Sequence, residues 1–317
     1  MRVVSLGSGS SGNSLLVQAG QTVALVDAGF QARILASRVR QAGFAPEQVS
    51  AIFLTHEHGD HTAGAVEFAR QYGAALIADP RTLAAVMAQA ARQPDYVEAS
   101  ARRVERVEMA VGATATTGTL TTRSFAVAHD AVAPCGYVIS SGAWRLCFVT
   151  DTGSINEPII EALAESSLLV IESNHDRQKL LSGPYPWHLK QRILSPTGHL
   201  ANDQTGDALL RVLDDSPRWV WLSHLSRTNN TPDLARSALR ERLRQVGLSG
   251  VAPQVAPPGL GPIWDSATLF SAGDTRESPP TNDTQTSIEY VKYTDSDSQP
   301  NQRRASGAGQ GVAAPDR

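Results

Sequence analysis

Two cysteines, Cys135 and Cys147, are all that this 317-residue chain carries. So few exclude a disulfide framework and suit a reducing compartment, the cytoplasm. Both lie in apolar, strand-like segments, which fits small core residues; a pairing between neighbouring strands is the alternative. Long hydrophobic runs are also missing, and no stretch approaches the roughly 20 apolar residues of a membrane-spanning helix. The apolar run within Met1–Gly7 is too short for a secretory leader and leads into glycine turns. Charge of one sign is not in excess. With a net charge of −3, the molecule has no overall field for polyanions, so any nucleic-acid contact needs a local basic patch. What is present, 41% apolar and 19% charged residues, is ordinary for a globular protein that buries a large core.

Along the chain, short strands are expected at 2–6, 15–17, 23–26, 51–54, 75–77, 104–109, 116–123, 136–139, 144–149, 168–171, 219–222 and 251–256. Helices are expected at 31–42, with Ile34, Leu35 and Val39 on one face, after Asp79-Pro80, at 202–213, and after Thr231-Pro232 with Leu239, Leu243 and Val246 on one face. The glycine-rich stretch 7–13 could cradle a phosphate or serve as a hairpin loop that needs positive φ. No G-x-x-x-x-G-K-[ST] or G-x-G-x-x-G pattern and no following helix accompany it, which favours the hairpin. From about residue 271 small polar residues dominate, too few of them apolar to offset ordering entropy. The expected organisation is therefore one domain over 1–270 and a disordered polar tail over 271–317, in which Ile288, Tyr290, Val291 and Tyr293 could form a short binding segment.

The most specific stretch is Thr55-His56-Glu57-His58-Gly59-Asp60-His61, which holds three of the chain's eight histidines. Imidazole and carboxylate are donors that Zn²⁺, Mn²⁺ and Fe²⁺ prefer. In extended chain, residues i and i+2 point the same way, so His56 and His58 can share one ion. Asp60 and His61, at the start of a helix carrying Ala63, Val66, Phe68 and Ala69, suit a second ion close by. Apolar strands also end repeatedly in a potential ligand: Asp27, His56, His129, Asp151, His175 and His224. Such ends would gather at one edge of packed sheets. Two ions need roughly six to eight donors with room for water, and His129, His175, His188, His199 and His224 are the remaining histidines.

H-x-H-x-D-H at a strand end resembles the metallo-β-lactamase fold superfamily. Within it, the chain is similar to the YycJ/WalJ-like metal-dependent hydrolases. The similarity is carried by Ser-Gly-Ser-Ser-Gly-Asn at 8–13, Val-Asp-Ala-Gly at 26–29, His-Asp at 129–130 and Thr-Asp-Thr-Gly at 150–153. Glu-Ser-Asn-His-Asp at 172–176, Tyr-Pro at 185–186, Leu-Lys-Gln-Arg-Ile at 189–193, Gly-His-Leu-Ala-Asn at 198–202 and Leu-Ser-His-Leu-Ser at 222–226 continue it. It covers about residues 1–265.

The resemblance implies an α/β fold, a four-layer αββα sandwich with two divalent ions, Zn²⁺ or Mn²⁺ (or Fe²⁺), at its edge. His56, His58 and His129 would hold one ion, Asp60, His61 and His224 the other, and Asp151 would bridge them. Asp27 would orient a ligand from outside the set. A water activated between the ions would attack a phosphodiester, Asp60 would orient it, and His199 would protonate the leaving oxygen. His175 resembles a residue near the site without an assigned role, and His188 reads as surface. Arg177, Lys179, Lys190 and Arg192 offer contacts to flanking phosphates; a solvated basic surface is the alternative. DNA is the expected substrate, degraded as by an exonuclease, with no membrane partner. A hydrolase of small phosphodiesters, thioesters or lactones is the alternative, and a closed apolar pocket would favour it where a basic groove would favour DNA. A metal-dependent binding protein is a third reading.

Overall fold

The computed structural model describes residues 1–92, 103–214, 216, 218–248 and 250–269. In chain order come β1 (Arg2–Gly7), β2 (Ser14–Ala19), β3 (Thr22–Val26), α1 (Ala32–Gln41), β4 (Val49–Phe53), α2 (Gly59–Thr62), α3 (Ala65–Tyr72), β5 (Ala75–Ala78) and α4 (Pro80–Ala90). Then follow β6 (Arg106–Glu108), β7 (Thr114–Thr117), β8 (Leu120–Ala126), β9 (Cys135–Ser141), β10 (Trp144–Val149), α5 (Glu157–Ala164) and β11 (Leu168–Glu172). The remainder is α6 (Arg177–Ser182), α7 (Trp187–Ile193), α8 (Asn202–Leu210), β12 (Trp219–Ser223), α9 (Pro232–Gln245), β13 (Gln254–Val255), β14 (Ile263–Asp265) and α10 (Ser266–Leu269).

The strands form two seven-stranded sheets, ordered β14-β1-β2-β3-β4-β5-β6 and β13-β12-β11-β10-β9-β8-β7. Side chains alternate across each strand, so one sheet serves two cores. Val3, Leu15, Val26 and Phe53 of the first sheet meet Tyr137, Phe148, Val170 and Trp221 of the second in the layer between them. The alternate residues Val4, Leu16, Leu25 and Ile52 pack outward on Leu35, Val39, Phe68 and Leu83 of α1, α3 and α4. On the other side, Cys147, Leu169 and Leu222 pack against Ile159, Leu209 and Leu239 of α5, α8 and α9. The result is the expected αββα sandwich. Cys135 belongs to the layer between the sheets and Cys147 to the outer face, so the neighbouring strands hold them apart, and both thiols are free.

Helix starts follow local chemistry. Asp79 accepts from the Arg81 N–H ahead of α4, and Thr231 from the Leu234 N–H ahead of α9, each followed by proline in the first turn. Residues 7–13 are the loop of the β1–β2 hairpin, with Gly7, Gly9 and Gly12 at positive φ. Several expectations are corrected. Ile34 (40% exposed) faces solvent, and α1 buries Ala32, Leu35, Ala36 and Val39 instead. Val246 (54% exposed) lies past the end of α9, outside its buried face. The expected strand 116–123 is the β7–β8 hairpin, folded back at Gly118, whose φ is +55°. The last strand is β14, which pairs with β1 and completes the first sheet. The tail expected over 271–317, including Ile288 to Tyr293, lies outside the described residues. No helix among them is long and apolar enough to cross a membrane.

Candidate metal centre

Six loops converge where strands of both sheets end. Asp27 follows β3, residues 54–61 follow β4, His129 follows β8, Asp151 follows β10, His199 precedes α8, and His224 follows β12. The backbone knits these loops together. The Ala28 N–H donates to His61 O at 2.7 Å, Asn13 N–H to Asp60 O at 2.8 Å, and Gly64 N–H to Ala28 O at 2.9 Å. A Cβ on Gly29 would sit 1.7 Å from Asp60 O, so only glycine lets residues 26–29 lie this close to the histidine loop. From the second sheet, Tyr137 Oη donates to Leu54 O at 2.6 Å and Cys135 N–H to Thr55 O at 3.0 Å. Glu57 accepts from the Val132 N–H and so ties the loop bearing His129 to the same stretch. Among the described residues, the only non-glycine positions with positive φ are Asp27 (60°), Asp151 (51°) and His224 (53°), all in this region. Backbone strain of this kind concentrates at functional sites.

Two donor groups result. His56, His58, His129 and Asp151 each offer one ligand atom, all within 4.8 Å of one another, and Asp60, His61, Asp151 and His224 do the same. Asp151 is common to both. Its Oδ2 lies 3.5 Å from His56 Nε2 and 3.1 Å from His61 Nε2, and Asp60 Oδ2 lies 3.5 Å from His224 Nε2. Outer partners fix the rings. We assign His61 Nδ1–H as donor to Asp27 Oδ2 at 2.7 Å, and His56 Nδ1–H as donor to Thr55 Oγ1 at 2.9 Å. His129 Nδ1–H donates to Gly198 O at 3.2 Å. Each of these contacts commits Nδ1 as the donor and turns Nε2 towards the interior. His58 is turned the other way, its Nδ1 3.3 Å from His129 Nε2.

The electrostatics fit bound cations. His56 Nε2 and His224 Nε2 are buried without a hydrogen-bond partner, although the rest of their surroundings is polar. Burial alone would raise Asp151, but the His224 and His61 charges override it and hold its carboxyl well below the usual range. Burial pushes His56 well below the ordinary imidazole value, which keeps its lone pair available. Burial also raises Asp27, with the His61 interaction opposing it. Imidazole nitrogens and carboxylate oxygens at this spacing suit divalent metal ions.

A third group, Asp151, Glu172, His199 and His224, extends the site. Glu172, fully buried at the end of β11, accepts from His199 Nδ1–H and from His224 Nδ1–H, both at 2.8 Å. Burial opposes its ionisation, yet the His199 charge draws its carboxyl down to about 2. His199 in turn is raised: burial would lower it, and Glu172 more than offsets that. Glu172 was not among the expected site residues, although it ends an apolar strand as its neighbours do. Asn13 is a second addition, its Nδ2 3.0 Å from His61 Nε2. His175 is buried outside these groups with neither ring nitrogen hydrogen-bonded, and burial lowers it to about 4; His188 is exposed.

Beside His199 opens a cavity of about 190 Å³. Tyr185, Leu189, Arg192 and Ile193, from α7 and the loop before it, line one side; Asp130 and His199 also line it, as do Ser10 and Ser226. Arg192 donates through Nε to Asp130 Oδ2 at 2.7 Å and remains 62% exposed. The other basic residues are placed differently. Arg177 is paired with Asp203 at 2.8 Å, Lys179 Nζ lies 3.4 Å from Asn230 O, and the buried Lys190 donates to Leu181 O and Gly183 O.

A family model described as a β-lactamase superfamily domain matches residues 22–224. The exodeoxyribonuclease WalJ of Streptococcus pneumoniae is 36% identical over 243 residues, covering 77% of this chain and 88% of its own. The exodeoxyribonuclease YycJ of Bacillus anthracis is 34% identical over 242 residues, covering 76% and 89%. In the crystal structure of YhfI from Bacillus subtilis, a metallo-β-lactamase fold protein, the similarity has a TM-score of 0.62 at 19% identity and covers 83% of this chain and 98% of that one.

Proposed function

Because the chain belongs to the β-lactamase superfamily domain family, and its two donor groups share one carboxylate, we propose that it is a dinuclear metal-dependent phosphodiesterase that degrades DNA from an end. The chain is a metal-dependent hydrolase. The observation that carries the reading is Asp151 standing in both groups, with the Glu172–His199 pair beside it. His56, His58 and His129 would hold one ion and Asp60, His61 and His224 a second, Zn²⁺ or Mn²⁺, with Asp151 between them. Such ions would supply Lewis acidity to a phosphoryl oxygen and make water a competent nucleophile near neutral pH.

The protein's own groups do the rest. Asp27 and Thr55 hold His61 and His56 in the tautomers that face inward. Asp60, about a quarter exposed where His61 and His224 are buried, would orient the attacking water and take its proton. Glu172 accepts from His199 Nδ1–H and raises the imidazole above its ordinary value, which favours the proton that His199 would give to the departing oxygen. One P–O bond forms from water and one breaks to the leaving alcohol, so the products are a phosphomonoester and a hydroxyl. Arg192 is the basic residue that lines the cavity shared with His199. That cavity is open and polar at its rim, which supports a polymeric phosphodiester over a small apolar ester. Two free thiols suit a cytoplasmic enzyme.

The test is incubation of Mn²⁺- or Zn²⁺-loaded protein with end-labelled duplex DNA, single-stranded DNA and bis-p-nitrophenyl phosphate. Stepwise shortening of DNA is expected, with His199→Ala slowing it about 10²- to 10⁴-fold and Asp151→Ala abolishing it. Turnover of the small diester with every DNA untouched would overturn the nuclease reading.

A further inference from the structure

The cavity beside His199 has a composition that cleavage alone does not require. A phosphodiester needs cations and hydrogen-bond donors, whereas Tyr185, Leu189 and Ile193 present an aromatic ring and two aliphatic side chains. Ile193 is buried, and Tyr185 and Leu189 are half-buried, so this wall belongs to the packed structure. The polar residues Ser10, Asp130, Asn174 and Ser226 also line it. An apolar wall with a polar rim fits a flat heteroaromatic group, its faces against carbon and its edges towards hydroxyls and water. The volume, about 190 Å³, is enough for one such group. His199 lines the same space, so whatever fills the cavity is attached close to the scissile bond.

We infer that this cavity receives the base of the terminal nucleotide, stacked on Tyr185, and that it thereby sets the register of cleavage at one nucleotide from the end. The inference rests on the reading of the site as a DNA-cleaving centre. Serine hydroxyls rotate and act as donor or acceptor, so the rim accepts the edges of different bases and the cavity does not select sequence. The ion pair of Arg192 with Asp130 engages Nε and keeps the guanidinium at the mouth, where a flanking phosphate would lie.

The experiment compares two probes that differ only in the base. Binding of 2′-deoxyadenosine 5′-monophosphate and of 2-deoxyribose 5-phosphate is measured by calorimetry on the full chain. Loss of one base–aromatic stack corresponds to about a tenfold weaker affinity, so the nucleotide is expected to bind about tenfold more tightly than the sugar phosphate. Tyr185→Ala should remove that preference and Tyr185→Phe, which keeps the ring, should retain it. In parallel, single-stranded DNA ending in an abasic residue should lose its terminal unit about tenfold more slowly than an intact strand. Equal affinity for the two probes, with abasic ends released as fast as intact ones, would overturn the inference even if DNA is degraded. A base preference that depends on Tyr185 in a protein that leaves all DNA intact would keep the cavity assignment and overturn the nuclease reading instead.

Discussion

Glu172 is held by two imidazoles at once, His199 and His224, each 2.8 Å away. A buried carboxylate in that position does two things: it fixes which ring nitrogen carries the proton, and it stabilises the charged form of His199. Glu172→Gln keeps the acceptor oxygen and removes the charge. His199 lies above its ordinary value, so its acid form is lost as pH rises through that raised value. Without the Glu172 charge the loss begins at lower pH. The alkaline limb of the kcat/KM profile is therefore expected to move to lower pH in Glu172→Gln, and an unmoved profile would contradict the assignment of His199 as the acid. This residue shows the limit of sequence reading. His56 to His61 are legible because their donors are adjacent in the chain. Glu172 acts on partners 27 and 52 positions away, and only the strand pairing that brings β11 beside β12 reveals it.

At the scale of elements, the centre depends on how closely residues 26–29 approach the histidine loop. Gly29→Ala would place a methyl group 1.7 Å from Asp60 O, against backbone that cannot yield without moving Asp60 itself. Overpacking of this kind costs about 1–3 kcal/mol. The expected outcome is a lower melting temperature together with weakened divalent-ion binding, measured by thermal unfolding with and without added metal. Stability and ion affinity both equal to the parent would refute the close approach. Elements whose signal is local were readable. The capped starts of α4 and α9 needed only Asp79-Pro80 and Thr231-Pro232. The β7–β8 hairpin was not, because threonines on both sides of Gly118 read as one continuous strand. Ile34 and Val246 misled for another reason: both are apolar, and helical spacing near a terminus does not decide which face a neighbour covers.

At the scale of the whole molecule, the donor groups join both sheets. His56, His58, Asp60 and His61 follow a strand of the first sheet, and His129, Asp151 and His224 follow strands of the second. An ion bound to either group therefore holds the two halves of the sandwich together. Ligands that bind only the folded state raise its stability by about 2.7 kcal/mol at one hundred times Kd. Added Zn²⁺ or Mn²⁺ is expected to raise the melting temperature, and a chelator to reverse the gain; Asp151→Ala should respond least, since it belongs to both groups. A melting temperature indifferent to metal would contradict the proposed centre. The sandwich was legible through the resemblance that the H-x-H-x-D-H stretch and the later motifs carry, since the order of strands and helices along the chain does not by itself give the layers. The β14–β1 pairing was not, since it joins residues more than 250 positions apart through three short contacts.

The left-handed backbone at Asp27, Asp151 and His224 bears on how this centre can change over evolutionary time. Among side chains with a ligand atom, aspartate, asparagine and histidine enter that conformation most readily. Glutamate carries the same carboxylate as aspartate and lacks this advantage. The permitted alphabet at the three positions is thus filtered twice, once by donor chemistry and once by chain geometry. Exchanges within that set are the least costly for the backbone there, and new metal preferences are more accessible through the histidines on ordinary backbone, His56, His58 and His129.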